Sequence, residues 1–75
     1  MNLFKNKASG KYFIHIEDVG NDEALFITPL GDLKFLELNL FSSQESVDED
    51  LYLRRDLVTR LQVERYHKYM ESIEV

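Results

Sequence analysis

The stretch Lys11–Phe41, KYFIHIEDVGNDEALFITPLGDLKFLELNLF, decides the fold, because a sheet built from it is apolar on both faces. Lys11 to Glu17 alternates as a strand and Gly20-Asn21 makes a two-residue hairpin centre. Ala24 to Pro29 forms a second strand, Leu30-Gly31 a second tight turn, and a third strand runs from Asp32 to about Phe41. These turn centres set Ile14 opposite Ile27, Ile16 opposite Leu25 and Leu25 opposite Leu36. One face then holds Tyr12, Ile14, Ile16, Leu25, Ile27, Leu36, Leu38 and Leu40. The other is aromatic: His15, Phe26 and Phe35 in a row, with Phe13 and Leu33 beside them. Pairing of Ala24 with Glu37 leaves Leu38 to Phe41 as a free edge able to accept another strand.

Outward from the hairpins, Ser42 to Asp50 (SSQESVDED) is polar and acidic and reads as a connection. Ser46 with Glu49 has capping-box spacing, predicting a short helix through Leu53 and Leu57. Thr59 with Gln62 repeats that spacing, and Val58 with Val63 forms a hydrophobic staple. From there Val63, Tyr66, Tyr69, Met70 and Ile73 share one helix face, with Glu64, Arg65, Lys68 and Glu71 outside it.

The fold expectation is α+β: a three-stranded antiparallel meander, a short helix and a longer C-terminal amphipathic helix packed on one sheet face. The alternative is a small SH3-like barrel with a C-terminal helix, which requires Leu3 to Lys5 as a further strand. Residues 1–75 form one small domain, with 1–10 either flexible or an added edge strand. At 75 residues the chain buries only roughly 60% of its unfolded surface, so little is left over to cover a second apolar face.

Charge is unevenly laid out within the net −5. Residues 1–16 carry Lys5, Lys7 and Lys11 and no acid, the middle of the chain is strongly acidic, and Arg54, Arg55, Arg60, Arg65 and Lys68 lie near the end. The acidic middle repels phosphate backbones and disfavours nucleic acid. Cysteine is absent, which removes disulfides, thiolate metal sites and cysteine nucleophiles. The N-terminal MNLFKNKASGK lacks an apolar leader core and no run reaches membrane-spanning length, so a soluble, cytoplasmic protein is expected.

Motifs for chemistry are sparse. His15 and Glu17 alternate onto one strand face, but without further ligands they read as packing rather than as a metal or acid–base pair. The acids Glu45, Asp48, Glu49 and Asp50 lack the ligand alternation and turn glycine of a calcium loop. Ser42, Ser43 and Ser46 have no nucleophile elbow, and the three glycines punctuate separate turns rather than cradle phosphate. The reading is non-enzymatic, with no cofactor and no metal.

What remains is the aromatic face. A small soluble protein-interaction module is expected, an accessory or regulatory subunit, binding a protein partner or a second copy of itself through Phe13, His15, Phe26, Leu33, Phe35 and Phe41. The alternative is a nucleic-acid or ribosome-associated factor using the N-terminal lysines and the helix arginines.

Overall fold

A computed structural model describes residues 1–47 and 55–73, which form five strands and one α-helix. The strands are β1 (Asn2–Asn6), β2 (Tyr12–Gly20), β3 (Glu23–Ile27), β4 (Leu33–Glu37) and β5 (Phe41–Ser46); the helix is α1 (Arg60–Ile73). They make one antiparallel sheet in the order β4-β3-β2-β1-β5, with α1 on one side. The class is α+β, but the sheet has five strands rather than three. Leu3 to Lys5, on which the barrel alternative depended, lies within β1 and pairs with both β2 and β5.

Turn length decides which residues share a face. The first hairpin turns at Asn21-Asp22, with Gly20 paired to Glu23 and Asp22 in the left-handed region at φ 60°. Two bulges in β2, at Val19 and Ile16, then restore the pairing of Ile14 with Ile27. Between them Glu17, not Ile16, faces Leu25. The second hairpin has a three-residue loop, Pro29-Leu30-Gly31, rather than a two-residue centre. Gly31 N–H donates to the Thr28 carbonyl (2.8 Å), Thr28 N–H to the Asp32 carbonyl (2.8 Å), and Gly31 sits at φ 86°. This is a turn followed by a left-handed residue, which glycine alone adopts cheaply.

That one extra loop residue shifts β4 by one and turns every β4 side chain over. Leu25 faces Phe35 and Ala24 faces Leu36, so Leu33 and Phe35 lie on the helix side while Lys34 and Leu36 lie on the aromatic side. The expected pairings of Leu25 with Leu36 and of Ala24 with Glu37 are corrected accordingly.

The third strand also stops early. After Glu37 a single 3-10 turn, Leu38–Leu40, carries the chain across to β5 at the other end of the strand order, so Leu38 to Phe41 is not a free strand edge. The polar SSQES segment expected as a connection is strand, because β1 supplies a ladder for it and Phe41 anchors its start. Ser46 closes β5 and its hydroxyl donates to Asn2 Oδ1 (3.0 Å) rather than capping a helix. Glu49 and Leu53 of the expected short helix lie outside the described residues, and Leu57 is half-buried in a turn. Laid flat, the outer two of five strands stand roughly 19 Å apart. A three-residue 3-10 link between them therefore requires the sheet to curl.

The convex side packs against α1. Leu3, Ile14, Ile27, Val47, Val58 and Val63 form its buried core, with Tyr12, Ile16, Leu33 and Tyr66 at the margin. The expected helix start is present: Thr59 N–H donates to Gln62 Oε1 (2.9 Å) and Gln62 N–H to Thr59 Oγ1 (3.2 Å). Gln62 does more than cap. Its side chain is fully buried, and Nε2 donates to the carbonyls of Tyr12 (2.8 Å) and Ile27 (3.1 Å). Continuing the β2–β3 register puts Tyr12 across from Pro29, which has no N–H to offer, so the Gln62 amide takes the place of the missing ladder donor. Thr59 Oγ1 donates to the Pro29 carbonyl (2.6 Å), fixing the helix start to the same turn.

Gln62→Leu keeps the volume but leaves these carbonyls and the Thr59 N–H without their partners, with an expected loss of about 3 kcal/mol in urea denaturation. A Cβ on Gly31 would stand 3.0 Å from the Leu61 carbonyl oxygen, whereas one on Gly10, also at positive φ, meets nothing within 4 Å. Gly31→Ala is therefore expected to cost about 2 kcal/mol or more, and Gly10→Ala about half of that.

Candidate functional site

The concave side of the curled sheet is aromatic, and four of the six candidate residues meet there. Phe26 is fully buried at its centre, with Phe41 4.5 Å away between ring centroids, His15 at 5.5 Å and Phe13 at 6.4 Å. Phe4 of β1 joins them, stacked on His15 (5.0 Å) and edge-on to Phe26 (5.4 Å) and Phe41 (5.8 Å). Ala24, Leu36 and Leu38 complete the cluster.

Leu33 and Phe35 are not part of it. Leu33 is half-buried against the helix-side core, and Phe35 is 63% exposed on that same side. Beyond the six candidates the cluster takes in Phe4, from an apolar pair in a lysine-rich segment, together with Leu36, which the three-residue loop turns to this side, and Leu38.

His15 takes a different partner from the expected one. The bulge at Ile16 interrupts alternation, so Asp18 rather than Glu17 comes beside the imidazole, with Nε2 2.9 Å from Asp18 Oδ1. Among the described residues no three His, Asp or Glu side chains gather as a cation site, and no helix is long and apolar enough to cross a membrane.

Most of the aromatic cluster is covered by the chain itself, through Phe4 and Phe41. The part left open is the flank at Phe13, where a cleft of about 440 Å³ lies between the β1–β2 loop, the Pro29-Leu30 turn and β4. Its apolar surface comes from Phe13, Leu36, Leu40, Pro29 and Leu30. Lys11 and Lys34 supply two cations against the single carboxylate of Asp32, on a chain of net charge −5. The cleft walls are tied down. Asn6 Oδ1 accepts from the N–H groups of Ala8 and Ser9 (both 3.0 Å), and Lys7 N–H donates to the Leu40 carbonyl (2.9 Å). Opposite them, Asp32 N–H donates to Thr28 Oγ1 (3.2 Å). Its volume lies within the range typical of small-ligand clefts.

Among the described residues the other cations are dispersed. Arg60 pairs with Glu64 (3.0 Å), while Arg65 and Lys68 flank a separate groove with Leu33, Tyr69 and Ser72.

The two faces predict opposite responses to truncation. Phe26→Ala is expected to lose about 3–5 kcal/mol in urea denaturation, whereas Phe35→Ser at low protein concentration stays within about 0.5 kcal/mol of the parent. No protein-family model, curated protein or solved structure matches the chain.

Proposed function

We propose that this chain is a small protein-interaction module, an accessory or regulatory subunit, that receives an extended segment of a partner protein in the cleft beside Phe13. The carrying observation is the cleft itself, the open flank of an otherwise self-covered aromatic cluster, rimmed by Lys11 and Lys34 on an acidic chain. Those features select the ligand. An aliphatic or aromatic side chain packs on Phe13, Leu36 and Leu40, and neighbouring Asp or Glu residues pair with the two lysines.

A binding role rather than catalysis fits a lining whose polar atoms are engaged in turn structure: Ser9 Oγ accepts from Lys11 N–H (3.2 Å) and lies 3.3 Å from Asn6 Oδ1. On this reading the curled sheet is a small SH3-like barrel with a C-terminal helix, a scaffold that by itself implies no particular partner. A cysteine-free chain suits a reducing, cytoplasmic setting.

Selection of random twelve-residue peptides on the purified protein tests the proposal. Enriched peptides should carry an apolar residue flanked by acids, and their affinity should fall about tenfold or more in Leu40→Glu, a half-exposed cleft residue whose substitution spares the core. Lys11→Glu with Lys34→Glu should shift the selected flanks from acidic to basic. No enrichment, or peptides that bind Leu40→Glu as tightly as the parent, would overturn it. So would binding of small-molecule fragments alone.

A further inference from the structure

The two edges of the sheet differ. β5 presents the exposed polar residues Ser42, Ser43 and Gln44, whereas β4 presents Phe35 on its helix-side face. Each edge strand has one neighbour in the sheet. Pairing with β3 fixes which backbone groups of β4 face outward. Thr28 N–H donates to the Asp32 carbonyl (2.8 Å) and Leu38 N–H to the Asp22 carbonyl (2.7 Å), so Lys34 and Leu36, in the same phase, also bond to β3. Leu33, Phe35 and Glu37 aim their N–H and C=O groups away from it. These three outward positions are symmetric about Phe35.

We propose that two copies of the chain pair through β4, antiparallel about a two-fold axis at Phe35, joining their sheets into one. The backbone phase permits it. With Phe35 opposite Phe35 of the second copy, every outward donor and acceptor at positions 33, 35 and 37 meets its complement. The two phenylalanines then cover each other on the helix side.

Charge favours the same register. Within one copy Glu37 stands opposite Glu23, a like-charge pair, and among the described residues neither carboxylate has an ion-pair partner. In the dimer Glu37 lies across from Leu33 of the second copy, and Leu33 lines the groove that Arg65 and Lys68 flank. The carboxylate is thereby brought to two cations. Because the contact is isologous it consumes both β4 edges, and the polar β5 edge offers no equivalent anchor, so assembly stops at two. The interface uses the outward backbone groups and helix-side face of β4, whereas the cleft beside Phe13 is lined by Lys34 and Leu36 on the opposite face of that strand.

Light scattering with size exclusion, from about 1 μM to about 0.5 mM, should show a monomer passing to a dimer of twice 8.9 kDa. Phe35→Ser, its fold checked by circular dichroism, should raise the dissociation constant about tenfold or more. Glu37→Lys should weaken the dimer likewise, and combining it with Arg65→Glu and Lys68→Glu should restore it. In this cysteine-free chain Phe35→Cys should oxidise to a covalent dimer, since hydrogen-bonded antiparallel partners stand about 5.5 Å apart at Cα, while Ser43→Cys on β5 should not. A monomer throughout, an assembly larger than two, a dimer indifferent to Phe35→Ser, or equal cross-linking at Ser43→Cys would each overturn the proposal.

Discussion

The packing of Phe41 on Phe26, 4.5 Å between ring centroids, is the contact on which the rest of this fold depends. A sheet apolar on both faces needs two covers, and the described residues supply one α-helix. The second cover is the sheet itself. By turning through a single 3-10 turn after β4 and laying β5 against β1, the chain swings Phe41 over the concave side and brings Phe4 with it. Self-coverage exchanges a large exposed aromatic face for a buried cluster, which is how so short a chain buries apolar residues on both sides of its sheet.

The convex side follows a different rule. There the apolar stripe of α1 supplies the burial and Gln62 sets the position, its amide donating to two strand carbonyls at the point where Pro29 interrupts the ladder. A buried amide with every group satisfied fixes one position and one rotation of the helix, where aliphatic packing alone tolerates several. The close approach of the Leu61 backbone to Gly31 belongs to the same arrangement, since the helix starts directly on the β3–β4 turn.

Function is drawn from what self-coverage leaves over. Curling hides Phe26 and Phe41 but leaves Phe13 flanking a cleft with two lysines, while the three-residue loop sets Phe35 exposed on the helix side of β4. The aromatic residues that looked equivalent in the sequence are thus divided into three: a buried group, a cleft wall and an exposed edge. Each has a different consequence for binding, and only the last two are accessible to a partner.

The sequence by itself determined which segments form the two hairpins, the two-sided apolar character of the sheet, the capping box at Thr59 and Gln62, the staple of Val58 with Val63, and the helix face that includes Val63 and Tyr66. These are readable because they depend on neighbours within a few residues. Tertiary structure alone decided that Ser42 to Ser46 is a strand, since its ladder partner is β1, some forty residues away. It also decided the faces of Leu33, Phe35 and Leu36. Their orientation depends on whether the loop is Leu30-Gly31 or Pro29-Leu30-Gly31, and the three-residue form sets Gly31 directly against the Leu61 backbone at the start of α1. A period of two leaves no intermediate outcome, so one loop residue moved Phe35 from the aromatic face of the sheet to its helix side.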